Sequence, residues 1–357
     1  MSQRDSTTLM PNHTNQIFSI LSLFSGAGAL DYGFELSGRF TTRACVELEQ
    51  LFCQTLRNNQ TRGFLSEAIV LNEDVSKISK DTICKLHFGG KSPMGIIGGP
   101  PCETFSVRGK KRGLLDGRGE LIFVFMDWVL ALKPKFFLME NVPPLARLNE
   151  GAVLSELTKI AYSGGYAVTH TIINAADFGA PTKRQRLFLI GTRGKVPFVF
   201  PEPTHGDSVQ LFSKKPYVTV GDALKGLPPP CWAEPGIPQG HIGVRHTPEV
   251  QARFTALRQG QQDNIRKRTR LHLERPSPTL VAGNLMQIRS HIHPTEPREL
   301  TNRESARIHG FPDEFEFFGG HAAMGKQIAN SVPIALAQAL AKYIANHLDT
   351  TSDHTKP

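Results

Sequence analysis

A lone cysteine, Cys102, stands just beyond an apolar run and is the residue best placed for nucleophilic chemistry. The run covers residues 94–99 (MGIIGG) and passes directly into Pro100 and Pro101. Apolar residues that end in glycines predict a buried strand opening into a loop. The two prolines restrict the backbone on one side of the sulfur, as a positioned nucleophile requires. The alternative is a structural cysteine that packs as a small hydrophobic residue.

A glycine-rich turn and two acidic residues predict a site for an adenosine-containing cofactor. Gly26 and Gly28 lie in the turn 24–28 (FSGAG), where glycines let a ligand approach the backbone closely. Glu47 follows at the spacing where dinucleotide-binding sheets hold a ribose hydroxyl. The third glycine of a pyrophosphate fingerprint is absent, which favours a cofactor without phosphates there. Asp74 is a candidate for binding the adenine amine or, alternatively, for capping a helix.

A carboxylate and two arginines occur at the borders of further apolar runs. Glu140 follows the run 136–139, and a carboxyl group beside apolar residues is expected to have a raised pKa and to donate a proton. A structural ion pair is the alternative role. Arg184 and Arg186 precede the run 187–190. In extended backbone these two side chains point to the same face, where they can hold a carbonyl and support a carboxylate.

The elements that must position these residues alternate between apolar runs and helix-length segments. Strands are predicted at 17–24, 42–46, 94–97, 136–139, 167–173 and 187–190, and helices at 121–132, 153–161, 299–309 and 334–348. The alternation predicts an α/β fold with a doubly wound, mostly parallel sheet and helices on both faces. Ligands of such sheets bind at the carboxyl ends of the strands. The polar tail from Thr350 is predicted to be disordered.

Composition narrows the class of protein. The 357 residues are 39% hydrophobic and 20% charged, which is typical of a globular protein. No apolar stretch approaches the roughly 20 residues that span a bilayer, and residues 1–15 lack the apolar core of a signal peptide. The five cysteines have no CxxC spacing, so neither a disulfide framework nor a zinc site is indicated. These features predict a cytoplasmic protein.

The net charge of +9 favours a polyanionic partner, and part of this charge is concentrated in one segment. Residues 195–275 are rich in proline, glycine, histidine and arginine. The concentrated basic residues are Arg253, Arg258, Arg266, Lys267, Arg268 and Arg270. They form either a solvated basic surface or a surface that contacts nucleic acid.

Together these segments resemble the DNA (cytosine-5) methyltransferase family, and they occur in the family's order from Leu21 to Val332. The matching segments are 24–28 (FSGAG), 100–106 (PPCETFS), 140–142 (ENV), 184–186 (RQR), 275–279 (RPSPT) and 330–333 (NSVP). The resemblance implies the S-adenosylmethionine-dependent methyltransferase fold and methyl transfer from S-adenosyl-L-methionine to carbon 5 of a cytosine. The cytosine must be flipped out of duplex DNA, because the loop cannot reach a stacked base.

The resemblance also implies a role for each site residue. Cys102 is the nucleophile that adds to carbon 6, Glu140 protonates or hydrogen-bonds ring nitrogen 3, Arg186 holds the ring carbonyl oxygen, and Arg184 orients the site. Cofactor binding is assigned to Phe24 at the adenine face, Gly26 and Gly28 at the amino-acid moiety, Glu47 at the ribose, Asp74 at the adenine amine, and Asn330. No metal is implied.

The expected organisation is a large domain with a smaller insertion. Residues 16–194 are predicted to bind the cofactor and catalyse, 195–275 to recognise the DNA target, and 276–349 to complete the catalytic domain. Helix 334–348 should pack beside the first strand. The compact size resembles that of prokaryotic modification enzymes that partner a restriction endonuclease. A monomer is predicted, since one active site and one flipped base need no symmetry.

Glu103 departs from the family pattern, because glutamine is most frequent there and a second carboxylate could raise the pKa of Cys102. An RNA-methylating relative is one alternative, but its Cys-Phe-Thr tripeptide is absent and the nearest string is 253–255 (RFT). A catalytically silent DNA-binding protein is another, although Cys102 and Glu140 are both retained. The sequence lacks the H-x-E and P-C-x-x-C pair of zinc deaminases.

Overall fold

Seven strands form one mixed sheet in the computed structural model, which describes residues 16–101, 121–207, 214–231, 236–280 and 291–353. Cys102 and Glu103 therefore lie outside the described residues. The strands of this sheet are β1 (Phe18–Leu23), β2 (Phe40–Glu47), β3 (Ile69–Asn72), β4 (Gly95–Gly98), β5 (Phe136–Asn141), β6 (Tyr166–Asn174) and β8 (Gln185–Arg193). Short pairs are formed by β7 (Thr182–Lys183) with β11 (Ser277–Pro278), and by β9 (His205–Gly206) with β10 (Lys215–Pro216).

The strand order is β3-β2-β1-β4-β5-β8-β6. Strands β1 to β5 are parallel to one another, whereas β8 is antiparallel to both β5 and β6. The predicted mostly parallel α/β sheet is confirmed. Strand β3 was not predicted, because it has only four residues and half of them are exposed.

Helices cover both faces of the sheet. They are α1 (Ala29–Glu35), α2 (Gln50–Gln60), α3 (Lys80–His87), α4 (Leu121–Leu132), α5 (Ala152–Ser163), α6 (Val220–Leu224), α7 (Pro248–Ala256), α8 (Asn302–Ile308), α9 (His321–Asn330) and α10 (Ile334–Asp353), with 3-10 turns at Pro143–Gly151 and Ala175–Phe178. In β1, Leu21 and Leu23 face a core with α3, α4 and α5, while Phe18 and Ile20 face α1 and α10. This alternation follows from the two-residue period of a strand.

Two predicted helix boundaries need correction. Helix α10 continues to Asp353, so the prediction of disorder from Thr350 is wrong for its first residues; Thr350 donates a hydrogen bond to the carbonyl of Asn346. Residues 354–357 lie outside the described chain. Helix α8 begins after Thr301 rather than at residue 299, because Thr301 and Glu304 form a reciprocal capping box.

Helices α1 and α10 approach each other closely at a glycine. A Cβ atom added to Gly33 would lie 2.4 Å from the Cβ of Ala337 and 3.0 Å from the carbonyl oxygen of Ile334. Small residues at this crossing allow α10 to pack closely against α1. Helix α10 thereby shares a hydrophobic core with the first strand, beside which it was predicted to pack. The same contact fixes α1, which follows the glycine-rich turn.

We predict that Gly33→Ala lowers the free energy of unfolding by about 1–3 kcal/mol, because overpacking a close contact forces the backbones apart. Urea unfolding measures the effect. The matched control is Gly243→Ala, whose Cβ would make an ordinary 3.6 Å contact with Pro230. Equal stabilities for the two variants would contradict the close helix crossing.

Candidate active site

The carboxyl ends of the five parallel strands lie at one edge of the sheet, and the reversed strand β8 brings its amino end to the same edge. Glu140, near the end of β5, is opposite Phe188, so that Arg186 lies just beyond Asn141 in the ladder. A parallel β8 would have placed this arginine at the opposite edge. The sheet topology thus joins predicted site residues that are far apart in the sequence.

A cavity of about 410 Å³ opens at this edge and brings most of the predicted cofactor residues together. Its walls include Phe24, Gly26, Glu47, Asp74, Asn330 and the catalytic candidate Glu140. Pro101 also contributes to the wall, and it directly precedes Cys102. The predicted nucleophile is therefore tethered by one peptide bond to the border of this cavity.

Gly28 has a different position from the one predicted. It does not belong to the cavity wall; it precedes α1 with φ 79°, and an added Cβ would lie 2.6 Å from Leu56 and 2.9 Å from Leu65. Only glycine adopts this conformation without strain while permitting such close packing. Gly28 thus shapes the turn and the start of α1, and its contact with the amino-acid moiety of the cofactor stays a prediction.

The Glu47 carboxylate holds the turn after β1 against the end of β2. One oxygen accepts a hydrogen bond from the Gly26 N–H at 2.8 Å, and the other accepts from the Glu49 N–H at 2.9 Å. Phe24 and Gly26 have φ values of 55° and 57°, so the turn contains a left-handed phenylalanine that must be held in place. Burial raises the pKa of Glu47, and the hydrogen bonds oppose this rise.

Asp74 forms a local turn rather than the helix cap named as an alternative, since the next helix begins at Lys80 with Ser79 as its cap. The Asp74 carboxylate accepts hydrogen bonds from the backbone N–H and the hydroxyl of Ser76, at 2.9 and 2.7 Å. These bonds lower the pKa of Asp74, so it is ionised at neutral pH. The same residue lines the cavity. A local turn and a ligand contact are compatible, because a carboxylate offers about four acceptor positions.

The cavity wall is acidic. Its charged residues are Asp31, Glu47, Glu49, Asp74 and Glu140, against the single cation Lys326 among the lining residues that the structure describes. The ammonium of Lys326 lies 3.4 Å from Glu49. Such a wall repels a pyrophosphate and attracts a cationic ligand. The electrostatics therefore agree with the absence of the third glycine of a pyrophosphate fingerprint.

Glu140 is largely buried and forms an ion pair with Arg186, whose Nε lies 2.9 Å from a carboxylate oxygen. Burial raises the pKa of Glu140, while Arg186 and then Arg184 oppose the rise. The expected direction of the pKa shift is confirmed, and the ion pair named as the alternative is present as well. The glycine at position 99 leaves room for the Glu140 side chain, because a Cβ atom added to Gly99 would lie 2.8 Å from the second carboxylate oxygen of Glu140.

Asn141 fixes the loop that leads to Cys102. Its side-chain N–H donates a hydrogen bond to the carbonyl of Pro100 at 3.0 Å, and its side-chain oxygen accepts one from the Val142 N–H at 2.8 Å. The residue is buried, so both bonds form away from competing water. Asn141 belongs to the ENV motif, but the motif did not predict this role for it.

Arg184 is a structural crosslink. It is 1% exposed and donates hydrogen bonds to the carbonyls of Leu280, at 3.1 Å, and Ala329, at 2.5 Å. Its guanidinium therefore does not belong to the cavity wall. This geometry agrees with the predicted orienting role, because Ala329 immediately precedes Asn330. Arg184 and Arg186 both oppose the rise in the pKa of Glu140, as expected of side chains that support a carboxylate.

The concentrated basic residues of the segment 195–275 are only partly available to a partner. Arg253 pairs with Asp263 at 2.7 Å, and Arg268 forms an ion pair with Glu299. Arg270 donates hydrogen bonds to several backbone carbonyls, including those of Phe254, Leu257 and Pro294. These three side chains therefore stabilise the segment itself, which neither of the two predicted alternatives included. The exposed members are Arg258, Arg266 and Lys267.

Asp31 is a candidate that sequence analysis missed. It lies in the first turn of α1, is fully buried and belongs to the cavity wall. Burial raises the pKa of Asp31 from 3.8 to about 7, although the nearby Ser22 hydroxyl opposes the rise. An acidic residue in the otherwise apolar start of α1 (ALDYGF) was the available indication.

Within the described ranges, no group of three or more histidine, cysteine, aspartate or glutamate side chains could hold a metal ion. In the same part of the chain, no helix is both long and apolar enough to cross a membrane.

Comparisons with known proteins agree on one family. The model of the family described as C-5 cytosine-specific DNA methylase matches residues 18–346. The chain is 33% identical to the Type II methyltransferase M1.HphI of Haemophilus parahaemolyticus, over 91% of this chain and 86% of that protein. It is 41% identical to the Type II methyltransferase M.AquIA of Picosynechococcus, over 59% of this chain and 89% of that protein.

Solved structures show the same architecture. An Escherichia coli prophage protein described as a DNA modification methyltransferase superposes with a TM-score of 0.74 at 29% identity, covering 93% of this chain and 99% of that one. The Dnmt2 methyltransferase of S. pombe superposes with a TM-score of 0.62 at 15% identity, covering 94% and 99%, and shows the shared fold alone.

We predict that the stability of the protein falls between pH 5 and pH 8 in a manner that depends on Asp31. In this range the folded state retains a proton that the unfolded chain releases, because the pKa of Asp31 is raised to about 7 on folding. Asp31→Asn removes this linkage and should flatten the decline. Urea unfolding at the two pH values measures it.

The matched control is Asp81→Asn, at an exposed aspartate in the first turn of α3. It should leave the pH dependence unchanged. A wild-type decline that persists in full in Asp31→Asn would show that another group is responsible.

Proposed function

Because the chain belongs to the C-5 cytosine-specific DNA methylase family and is a DNA (cytosine-5-)-methyltransferase, we propose that it methylates a flipped-out cytosine in a specific duplex DNA sequence. The methyl donor of this family is S-adenosyl-L-methionine. The proposed reaction forms a covalent bond between Cys102 and carbon 6 of the base. The enzyme is of the Type II restriction-modification kind. A few side chains of the recognition segment determine which DNA sequence it methylates.

The observation that carries this proposal is the placement of the Glu140–Arg186 pair beside the loop that leads to Cys102. Asn141, next to Glu140, binds the carbonyl of Pro100, two residues before the cysteine. A base that enters here would meet a carboxyl group, a guanidinium and the cysteine within one small region. These are the groups that cytosine activation needs.

The acidic cavity supports S-adenosylmethionine as its ligand. The proposed contacts are Phe24 with the adenine, Glu47 with the ribose, Asp74 with the adenine amine, and Asn330 at the remaining wall. Glu47 and Asp74 retain acceptor positions beyond the bonds that they make within the protein. The bound ligand supplies an electrophilic methyl group on a cationic sulfur, which suits a wall with excess negative charge.

The chain's own residues then activate the base. The Cys102 thiolate adds to carbon 6, and Glu140 in its acid form donates a proton or hydrogen bond to ring nitrogen 3, so that carbon 5 becomes nucleophilic. Arg186 holds the ring carbonyl oxygen. Carbon 5 takes the methyl group, a base removes the proton from carbon 5, and the bond between Cys102 and carbon 6 breaks.

The burial of Glu140 serves this role because it favours the protonated acid, while Arg186 favours the carboxylate. Arg184, held by two carbonyls, acts on the site through the geometry of neighbouring segments.

The substrate DNA is proposed to bind between the catalytic portion, 16–194 with 276–349, and the recognition portion, 195–275. Exposed Arg258, Arg266 and Lys267 supply phosphate contacts. The cognate endonuclease, the monomeric state and the cytoplasmic location stay predictions from the sequence.

We predict that Cys102→Ser abolishes transfer of labelled methyl from S-adenosylmethionine to unmethylated duplex DNA, because the hydroxyl is a far weaker nucleophile than a thiolate. Glu140→Gln should lower kcat about 10²–10⁴-fold, the usual loss when an acid catalyst is removed. Bulk tRNA serves as the second substrate in the same assay.

Cys231→Ser is the matched control, because Cys231 lies outside the cavity wall, and this variant should keep wild-type activity. Label in tRNA alone would identify an RNA methyltransferase. No label in either substrate, despite binding of S-adenosylhomocysteine, would identify a catalytically silent DNA-binding protein and direct attention to Glu103.

We predict that substitutions of two arginines in the recognition segment have different effects, one on DNA binding and the other on stability. Arg266→Gln should weaken DNA binding and reduce the slope of log affinity against log salt by about 0.9, the value for one lost phosphate contact. Arg270→Gln should instead lower stability, since its backbone acceptors lose their donor. Fluorescence anisotropy at several salt concentrations and urea unfolding distinguish the two. An unchanged slope for Arg266→Gln would remove it from the DNA interface.

A further inference from the structure

The connection between α9 and α10 forms part of the cofactor wall without being helical. Ser331 and Val332 line the cavity together with Asn330, the last residue of α9. Ser331 has extended backbone, with φ −67° and ψ 149°, so the helix ends before it. Because no helical hydrogen bonds hold these residues in place, the shape of this wall depends on contacts with other segments.

His309, which directly follows α8, holds the connection at two points. Its ring Nδ1 lies 2.8 Å from the hydroxyl oxygen of Ser331. Its carbonyl oxygen accepts a hydrogen bond from the N–H of Ile334, the first residue of α10, at 3.0 Å. The residue is fully buried, so water does not compete for either bond. One residue thus fixes the connection near its beginning and at its end.

Arg184 holds the same wall on the other side of Asn330. It donates a hydrogen bond to the carbonyl of Ala329. The helical partner of this carbonyl would be residue 333, but Pro333 has no N–H to donate. Asn330 therefore has a bound neighbour on each side, one held by Arg184 and the other by His309. Both side chains come from segments that are distant in sequence.

The hydrogen bond between His309 and Ser331 has one consistent direction. The Ser331 hydroxyl donates its only hydrogen to the carbonyl of Ile328, at 2.7 Å, so it accepts from Nδ1–H of the ring. Nε2 then carries a lone pair, which is buried without a hydrogen-bond partner among the residues that the structure describes. Burial and the guanidiniums of Arg184 and Arg186 lower the pKa of His309 well below its ordinary value, so the ring stays neutral. The positive charge of these arginines stabilises a lone pair and would destabilise an N–H.

Resting on the proposed function, we propose that His309 is a positioning residue for methyl transfer, whose Nδ1–H holds Ser331, and thereby Asn330, in the cofactor wall. His309 is not among the described residues that line the cavity, so it acts through Ser331 rather than by touching the ligand. The bond orders the wall before the ligand arrives, and less conformational freedom is then lost on binding. Loss of the bond should weaken the binding of S-adenosylmethionine and S-adenosylhomocysteine alike and leave DNA binding unchanged.

Three substitutions of His309 separate this bond from simple packing. In His309→Asn the side-chain nitrogen is attached to Cγ, as Nδ1 is, and can donate to Ser331. In His309→Gln the nitrogen is one carbon further from the backbone, near the position of Nε2, and His309→Leu has no donor. Isothermal titration calorimetry with S-adenosylhomocysteine should give an affinity close to that of the wild type for His309→Asn. The affinity should be about fivefold weaker in His309→Gln and His309→Leu, the effect of one hydrogen bond.

Steady-state kinetics and a double substitution provide independent measurements. KM for S-adenosylmethionine should rise by the same factor in His309→Gln and His309→Leu, while kcat and the affinity for duplex DNA stay close to wild type. Ser331→Ala should have the same effect, and adding His309→Leu to it should cause no further loss, because the acceptor is already absent. His347→Leu is the matched control and should keep wild-type affinity, since His347 packs against Phe198 and lies outside the cavity wall.

The outcomes separate this inference from the proposed function. A wild type that neither binds S-adenosylhomocysteine nor methylates DNA would overturn the proposed function, and this inference with it. Wild-type affinity in His309→Leu, or equal affinities in His309→Asn and His309→Gln, would overturn the inference alone and leave His309 a packing residue. Urea unfolding establishes that each variant is folded. If the His309 variants do not fold, Ser331→Ala decides the matter, because wild-type affinity in this variant rejects the assignment.

Discussion

The antiparallel hydrogen-bond ladder between β5 and β8 sets the geometry on which the site depends. Five parallel strands bring the cofactor turn, the acidic residues and the loop before Cys102 to one edge of the sheet. If β8 were parallel to β5, its carboxyl end would lie at that edge, and the arginines at its amino end would lie at the opposite edge. Because β8 runs in reverse, with Glu140 opposite Phe188, its amino end supplies Arg186 to Glu140. The ion pair is therefore a consequence of sheet topology.

The cavity contains more acidic residues than the stability of the fold requires. Asp31, Glu47 and Glu140 are buried, and burial raises the pKa of each. Of the three, Glu140 has an arginine beside it, and Glu47 has two backbone donors. Buried anions cost stability, so a cavity that collects them is suited to a cationic ligand that offsets this cost on binding. The same charge would exclude a phosphate-bearing cofactor.

Local sequence patterns predicted the fold where one physical effect dominates. Helix α4 ends at the predicted residue, because a Lys-Pro-Lys sequence follows it. Strand β3 was not predicted, because its apolar run is short and half of the strand is exposed. The contacts of Gly28 with Leu56 and of Arg184 with backbone carbonyls join segments distant in sequence, so local patterns could not predict them. Asp31 became a candidate only when its burial was visible.

The recognition segment shows why charge alone could not predict a binding surface. This proline- and glycine-rich segment contributes few buried apolar side chains, such as Phe254 and Leu271. Arg268 and Arg270 replace an extended apolar core by binding a carboxylate and a set of backbone carbonyls. Guanidinium groups suit this task because their donors form a fixed fork. In such a segment some of the positive charge holds the scaffold together, and only the exposed remainder is free to contact DNA.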